Sequence, residues 1–285
     1  LIHNFIPSAT KNPITMKRII VPIDFSAYSD FALASALKIA QKAESSITCV
    51  NVVSSLLDWT SLSNEQKAKN TEILDLEAEA KDKLKAFVIE HKLHGVPVET
   101  VVEIGVPQHV ILEVAKKHKA NLIVIGTYGA GYQEGKFIGS TIQHILRHAE
   151  CPVMAVKKTL NGNDLRKMVF ASMFNEDSRP AFTKMKAVLK DFQTSVHFLF
   201  VNTPSHFVNS EVAESRMDAY AKGFEDLVIH KHMYCHHEPE NGIVEFAKSR
   251  NIGFIGIASG NRKGMATYQV GVTDTGLYKT DIAVL

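Results

Sequence analysis

The chain has 285 residues, of which 45% are hydrophobic and 22% are charged, as in an ordinary globular protein of about two domains. Its formal net charge of +2 gives no electrostatic reason to expect a nucleic-acid or membrane partner, and no apolar run reaches the roughly 18 residues that a membrane span needs. The cysteines Cys49, Cys151 and Cys235 are too scattered for a disulfide framework, so we expect a cytoplasmic protein.

Residues 1–15 show no hydrophobic period, and we interpret them as an extension or a cloning remnant. After them, short apolar runs alternate with helical stripes, which predicts one domain over residues 16–158. The predicted strands lie at residues 18–25, 46–53, 96–104, 121–126 and 151–157. Ser63 and Gln66, spaced as a capping box, begin a predicted long helix that continues to about Leu93. Strands that alternate with helices indicate an α/β fold with a doubly wound parallel sheet.

The same pattern returns in the second half of the chain. A shift of 149 residues, from Arg18 to Lys167, places "KMVFASMFNEDS" on "RIIVPIDFSAYS" and "SVHFLFV" on "SITCVNV" without a gap. Farther on, "IVEFAKSR" matches "ILEVAKKH", and the final "DIAVL" resembles "CPVMAV". We therefore predict a second, degenerate domain of the same fold over residues 163–285, joined to the first by a polar linker at residues 157–164.

The stretch "VIGTYGAGYQEGKFIGSTIQHIL" leaves a predicted buried strand through a glycine-rich loop and enters a helix. Glycine has no Cβ, so its backbone N–H can approach a ligand closely. A helix N-terminus adds unpaired N–H donors and a partial positive charge, which favour an anion. Gly126, Gly129 and Gly139, followed by Ser140 and Thr141 at the mouth of the helix, therefore predict a phosphate cradle. The alternative is a flexible connection in which Ser140 and Thr141 only cap the helix.

Two further positions fall at the carboxyl edge of the predicted sheet, where open parallel sheets bind their ligands. Asp24 ends the first strand, where it either binds a ribose hydroxyl or caps the helix that follows. Val52 lies near the end of the second strand, where its backbone can pair with a base edge. Together with the glycine loop, these positions indicate a nucleotide site. The sequence has no Walker A motif and no dinucleotide fingerprint after its first strand that would favour another nucleotide fold.

The glycine spacing Gly-x2-Gly-x9-Gly-Ser, with "VPIDFS" in the first strand and "GSTIQHILRHAECPVMAVK" at its end, resembles the ATP-binding members of the universal stress protein family. The resemblance covers residues 18–158 strongly and the second copy weakly. It implies two tandem Rossmann-like domains of the adenine nucleotide alpha hydrolase-like type. It also implies that the first domain binds ATP, with Mg²⁺ on the phosphates.

The resemblance assigns roles to individual residues. It implies that Asp24 binds the ribose and that Pro22 and the Val52 backbone contact the adenine. By the same resemblance, the phosphates are held by Gly126, Gly129, Gly139, Ser140 and Thr141. The sequence departs from the family where many ATP-binding members carry a basic residue after the second glycine. Ala130 stands at that position, with Lys136 in the same loop as a substitute.

These observations predict a stress-response protein that binds ATP and signals to a protein partner, which the sequence does not identify. No general base or activated nucleophile accompanies the predicted site, so we expect at most a weak ATPase. The alternative is a nucleotide-free interaction scaffold whose glycine loop is a relic. A third possibility, an adenylate-forming enzyme, lacks the additional basic or metal-binding signature that it would need.

The second copy is predicted not to bind ATP. Under the shift of 149, Met173 replaces Asp24 and Ala171 replaces Pro22. In its loop the first glycine is missing, the spacing to the last glycine is ten residues instead of nine, and an acid follows. The positions concerned are Ile257, Gly260, Gly271, Val272 and Asp274. We therefore expect one ATP per chain.

The last strand of each copy, at residues 153–156 and 282–284, is short and apolar, and an unpaired apolar edge invites the addition of another strand. We predict that these two edges pair within one chain, so that the copies form a pseudo-dimer. A further homodimer of the whole chain stays open.

The segment "IHKHMYCHH" predicts a strand with one polar and one apolar face. The apolar, core-like face carries Leu227, Ile229, Met233 and Cys235. The polar face is either solvated, which we favour, or a Zn²⁺ site, and it carries His230, His232, Tyr234 and His236.

Trp59, His144 and His148 are further aromatic side chains near the predicted site. Trp59, in the polar connection after the second strand, is either a lid over a ligand or a satellite packing residue. His144 and His148 lie four residues apart on the helix after the glycine loop, and we predict that they form a surface pair.

Overall fold

The computed structural model describes residues 16–129, 139–174, 178–258 and 280–285. The predicted extension at residues 1–15 lies outside this part of the chain. The strands of the first half are β1 Arg18–Pro22, β2 Ser46–Ser54, β3 Val98–Gly105, β4 Leu122–Gly126 and β5 Val153–Val156. The helices between them are α1 Ala27–Ala43, α2 Asn64–Ala68, α3 Thr71–Ile89, α4 Pro107–Lys117 and α5 Ser140–His148.

The second half repeats this order after a 3₁₀ turn at Asp164–Arg166. Its strands are β6 Lys167–Ala171, β7 Ser195–Asn202, β8 Val228–Cys235, β9 Phe254–Ile257 and β10 Ala283–Val284, and its helices are α6 Arg179–Asp191, α7 Ser210–Ala221 and α8 Pro239–Ser249. Strand β6 lies 149 residues after β1 at both of its ends. Even an uncommon backbone conformation recurs at this shift, because Phe25 has φ 63° and Phe174 has φ 54°.

The strands form one sheet in the order β3-β2-β1-β4-β5-β10-β9-β6-β7-β8. The pairs within each half are parallel, which confirms the predicted α/β class. The junction between the halves is antiparallel, with Val284 of β10 opposite Ala155 of β5. The predicted edge-to-edge pairing of the two last strands is therefore present within the chain, and it turns the two predicted sheets into one.

Helices cover both faces of this sheet. On one face, Leu33 of α1 and Leu84 of α3 are fully buried, and the same layer continues under α6 and α7 in the second half. On the other face, Ile111 of α4 and Ile145 of α5 pack on the strands, as does Phe246 of α8. Burying one such aliphatic or aromatic side chain contributes about 1.5–3 kcal/mol, so these layers hold the strand ends in place around the site described below.

The predicted long helix after β2 is wrong in detail. The capping box is confirmed, since the Ser63 side chain accepts from the Gln66 backbone N–H and the Gln66 side chain accepts from that of Ser63. The helix then ends at Ala68. Asn70 separates it from the next helix, because its backbone angles (φ −95°, ψ 59°) are not helical and its side-chain amide donates to the Gln66 carbonyl. A second helix, α3, starts at the next residue, and Leu76 on it is 52% exposed instead of buried.

The histidine-bearing strand β8 is less solvated than predicted. Its neighbour β7 brings His197 next to it, and His197 Nδ1 lies 2.9 Å from His232 Nε2. The ring of His232 also packs on Phe246 of α8, 5.0 Å between centroids. The expected core-like position of Cys235 is wrong, because that thiol is exposed at the end of the strand. Within the described residues, no group of three or more His, Cys, Asp or Glu side chains is arranged to hold a metal ion.

This histidine pair makes stability depend on pH. Burial first, and then His232, His230, Lys167 and Arg250, lower the pKa of His197 to about 4, against about 6.5 in an unfolded chain. Between these two values the unfolded chain binds a proton that the folded chain does not. The free energy of unfolding therefore falls as the pH is lowered from about 6.5 to about 4, and His197 contributes nothing to the pH dependence above that window.

We expect His197→Asn to weaken this dependence. Urea unfolding at pH 7 and at pH 5 measures it, and the loss of stability between the two should be smaller in the variant than in the unaltered chain. His237→Asn, which changes an exposed histidine, should leave the loss unchanged. An equal loss in all three proteins would contradict the role given to His197.

In the part of the chain that the structure describes, no helix combines the length and the apolar character required to cross a membrane.

Candidate functional site

A cavity of about 470 Å³ opens at the carboxyl ends of β1, β2 and β4. The sheet order reverses between β1 and β4, because the chain moves from β1 outward to β3 and then returns to the other side of β1. Such a switch point leaves a crevice between the loops that leave the two strands. All the predicted site residues line this cavity: Pro22, Asp24, Val52, Gly126, Gly129, Gly139, Ser140 and Thr141.

Asp24 is held at the mouth of the cavity by the start of α1. Its Oδ1 accepts from the Ser26 backbone N–H at 3.1 Å and from the Ser26 hydroxyl at 2.6 Å. Ser26, and not Asp24, is the N-cap of α1, since its hydroxyl oxygen accepts from the Ser29 backbone N–H at 3.2 Å. The alternative that Asp24 itself caps the helix is therefore wrong, and Asp24 instead positions the cap while its carboxylate borders the cavity.

The backbone of Val52 faces the space beyond the end of β1. The N–H of Ile23 donates to the carbonyl of Val50 at 2.8 Å, and Ile23 is the last residue that continues this ladder. Backbone groups two residues apart on a strand point to the same side, so those of Val52 point past Ile23 into the cavity. The side-chain amide of Asn51 donates to the Ile23 carbonyl at 2.8 Å and fixes this strand end.

The three glycines of the motif have different surroundings. A Cβ at Gly126 would lie 2.7 Å from the backbone carbonyl of Tyr28 in α1. A Cβ at Gly129 would lie 2.9 Å from Oδ2 of Asp24. A Cβ at Gly139 would meet no atom of the described residues within 4 Å. The first glycine thus allows α1 to pack, the second allows the loop to approach Asp24, and the third leaves cavity space open.

Helix α5 points its N-terminus at the cavity. Gly139 is the N-cap, with φ −61° and ψ 149°, and it has no side chain to accept from the first turn. Ser140 and Thr141 occupy the first two helical positions, so the expectation that they cap the helix is wrong. Because the first intrahelical bond is from the N–H of Gln143 to the carbonyl of Gly139, the N–H groups before Gln143 remain directed at the cavity.

A buried hydroxyl that the sequence analysis missed lies inside the glycine motif. Thr127 is fully buried and lines the cavity, and its Oγ1 has no hydrogen-bond partner in the described part of the chain. An unsatisfied buried hydroxyl costs about 1–3 kcal/mol, so a polar ligand that reached it would offset this cost. Its position between two motif glycines was the available signal.

The apolar wall of the cavity was also missed. Pro107 and Ile111, on the first turns of α4, face Val50 and Ile125 across the cavity. The available signal was that α4 begins directly after β3, at the same edge of the sheet as the glycine loop. These side chains give the cavity an apolar wall beside its polar groups.

The first part of the motif contacts the residue that follows β5, at the junction of the two halves. Tyr128 is buried between the ring of Tyr28, at 5.1 Å between centroids, and the ammonium group of Lys157, at 5.5 Å from its ring. Burial lowers the pKa of Lys157, and the charge of Asp281 opposes that shift. Asp281 precedes β10, so the glycine motif and the second half of the chain meet at Lys157.

Trp59 is a satellite packing residue and does not line the cavity described above. It packs with Val53, Ala80 and Ile104 in a small cluster under the loop after β2. Several positions discussed from the sequence lie outside the described residues, so their placement does not enter the site. They are Ala130, Lys136, Gly260, Gly271, Val272 and Asp274.

The second half differs at the position that corresponds to Asp24. Met173 stands there, and its side chain packs against the hydrophobic core. Beside it, the Ser172 hydroxyl bonds to the Ser178 hydroxyl at 3.0 Å, and Ser178 in turn donates to the Tyr220 hydroxyl at 3.2 Å. The described polar groups at this strand end are therefore joined to each other, and the residue that corresponds to Asp24 carries no carboxylate.

Comparisons with known proteins agree with this architecture. The profile of the universal stress protein family matches residues 15–157. A universal stress protein of Methanocaldococcus jannaschii is 33% identical over 142 residues, which make up 50% of this chain and 82% of that protein. A Staphylococcus aureus relative is 29% identical over 174 residues, 57% of this chain and 97% of that protein.

Among solved structures, a universal stress protein from Archaeoglobus fulgidus aligns over 95% of each chain, with a TM-score of 0.67 and 16% identity. At that identity the likeness concerns the fold alone. The family profile and the relative from Methanocaldococcus jannaschii concern the sequence itself, and the profile matches the half that contains the cavity. This chain therefore belongs to the universal stress protein family.

Proposed function

We propose that the first half of the chain binds ATP and that the protein is a nucleotide-dependent regulatory module built from two tandem domains of the family. The observation that carries the proposal is the cavity at the β1–β4 switch point, where Asp24, the Val52 backbone, the glycine motif and the N-terminus of α5 meet. These groups correspond to the three parts of a nucleotide.

The adenine fits the inner cavity, where Ile111 and Ile125 supply apolar walls and the Val52 backbone supplies a donor and an acceptor for a base edge. The Asp24 carboxylate is suited to accept from ribose hydroxyls. The phosphates fit the motif at its other end, where Gly129 and Gly139 leave room and the first N–H groups of α5 favour negative charge. In this arrangement Mg²⁺ binds through the phosphate oxygens.

The described residues that line the cavity include few groups that could catalyse the hydrolysis of ATP. Of the described residues that line it, Asp24 is the only carboxylate, and none is a lysine, arginine or histidine. Asp24 is committed to Ser26 and to the ribose end of the site, so it is not placed as a general base for water at the γ-phosphate. Binding that alters a contact with a protein partner, with slow or no turnover, is the function that this set of groups supports.

Equilibrium dialysis with labelled ATP and Mg²⁺ tests the proposal. We expect one ATP per chain with micromolar affinity, because Met173 removes the ribose carboxylate from the second half. Two ATP per chain would contradict the assignment of the second half. No binding, together with no nucleotide released from the purified protein in mass spectrometry, would favour the alternative of a nucleotide-free scaffold.

A further inference from the structure

A row of three imidazoles lies on the outer surface of α4 and α5, outside the cavity described above. The ring of His109, in the first turns of α4, stacks on the ring of His144 of α5, with 5.1 Å between centroids. The ring of His144 stacks in turn on that of His148, with 4.1 Å between centroids and 21° between the planes. His148 is exposed and His144 is half-buried, so the predicted surface pair is present and the row is open to solvent on one side.

The hydrogen bond made by His148 sets which of its nitrogens is available. Its Nδ1 lies 2.8 Å from the backbone carbonyl of His144. A carbonyl oxygen only accepts, so Nδ1 carries the proton and Nε2 of the neutral ring keeps its lone pair. This is the arrangement that metal-binding histidines use, in which one ring nitrogen is anchored to a carbonyl and the other is free to coordinate.

Charged side chains of both signs lie beside the row. Glu113 of α4 lines a surface cleft together with His148 and a second carboxylate, Glu150. The lysines that line this cleft are Lys116 and Lys119, and Lys116 is paired with Glu150 at 3.4 Å.

We propose that His144 and His148 form a binding site for a divalent transition-metal ion of the imidazole-preferring class, such as Cu²⁺, Ni²⁺ or Zn²⁺. Two histidines four residues apart on a helix lie on one face and can coordinate one ion. In the described ranges, no three His, Cys, Asp or Glu side chains are close enough together to bind one metal ion. The other coordination positions of the ion would therefore be filled by water or by a group from another molecule. Coordination requires the stacked rings to turn apart, so that one nitrogen of each lies at the usual distance of about 2.0–2.1 Å from the ion.

The experiment is a titration of the metal-free full chain with Cu²⁺ buffered by glycine, since Cu²⁺ binds imidazole most tightly in the divalent series. We expect one tight equivalent that depends on His144 and His148, with an electron paramagnetic resonance spectrum that shows coupling to two imidazole nitrogens. Cu²⁺ bound elsewhere, as at His197 and His232, is common to all the variants. His148→Gln removes one of two protein ligands, so it should lower the affinity by at least the roughly tenfold typical of losing an outer-shell partner. The double variant His144→Gln/His148→Gln should lose the tight equivalent altogether.

The matched control is the double variant His206→Gln/His237→Gln, which removes the same number of exposed imidazoles elsewhere. It should keep the tight equivalent and its spectrum. Circular dichroism and the melting temperature establish that each variant is folded, and His148 is exposed, so its replacement does not disturb the core. Retention of the tight equivalent by His144→Gln/His148→Gln, or its loss in the control, would overturn the proposal.

Discussion

Gly139→Asp is expected to weaken ATP binding at least tenfold without loss of stability. Gly139 is the N-cap of α5, and aspartate is among the preferred residues at that position, where its carboxylate accepts from the first N–H groups of the helix. Those are the groups that the proposed site offers to the phosphates. A Cβ at this position meets no described atom within 4 Å, so the new side chain starts into open space.

Two effects act against the ligand in this variant. The carboxylate occupies the N–H donors, and it places a negative charge beside the phosphates. Two unit charges about 4 Å apart repel by roughly 1 kcal/mol in water and about 4 kcal/mol in a partly screened site. Since about 1.4 kcal/mol is a tenfold change in affinity, binding should weaken at least tenfold. The melting temperature should stay level or rise, because a better cap stabilises the helix by a few tenths of a kcal/mol.

Gly162→Asp is the matched control, because it makes the same change of charge in the linker. A Cβ at Gly162 also meets no described atom within 4 Å. Calorimetric titration with ATP and Mg²⁺ should give the original affinity for this control. Equal affinity in Gly139→Asp and in Gly162→Asp would remove α5 from the site. A large fall in the melting temperature of Gly139→Asp would instead show that the glycine is required by the fold.

The strands and their order along the chain could be predicted because buried parallel strands are marked by apolar, β-branched runs that depend little on context. The shift of 149 residues was exact for β1 and β6 for the same reason, since both strands are buried between helices. The edge pairing of β5 with β10 also followed from the sequence, because a short apolar edge strand requires a partner.

The errors lie where a single polar side chain competes with the regular pattern. Asn70 separates α2 from α3 and makes a local hydrogen bond to Gln66, and hydrophobic periodicity does not register such a bond. Ser26 takes the cap that was considered for Asp24 for a similar local reason. His197 was missed as a partner of His232 because the two are brought together by strand pairing, 35 residues apart in the sequence.

The candidate site was also predicted only in part. The sequence placed all eight proposed residues at the carboxyl edge of the predicted sheet, and in the structure all eight line one cavity. It did not reveal Thr127 or the wall from α4, because a threonine next to a glycine and a helix after a strand are common in any α/β protein. It also treated the three motif glycines as equivalent. Their neighbours differ, and a glycine's neighbours come from distant parts of the chain.

Gly126→Ala is expected to destabilise the fold, in contrast to Gly139→Asp. The added Cβ would lie 2.7 Å from the carbonyl carbon, the carbonyl oxygen and the Cβ of Tyr28. Two of these are backbone atoms in the first turn of α1, so they cannot move aside as the end of a flexible side chain could. Relief requires α1 to shift away from β4, and both elements are buried against the same core. Overpacking of this kind costs about 1–3 kcal/mol.

Thermal unfolding measures the effect, with about 2–4 °C expected for each kcal/mol in a chain of this size. Gly162→Ala, which adds the same methyl group in open space, should melt with the unaltered protein. If Gly126→Ala kept the full melting temperature but lost ATP binding, the first glycine would serve the ligand and not the packing of α1. A lower melting temperature, with the deficit remaining when ATP is saturating, would instead place the origin of this glycine in the contact between Gly126 and Tyr28. The spacing of the motif would then record two separate constraints, one from the helix that packs behind it and one from the anion that it faces.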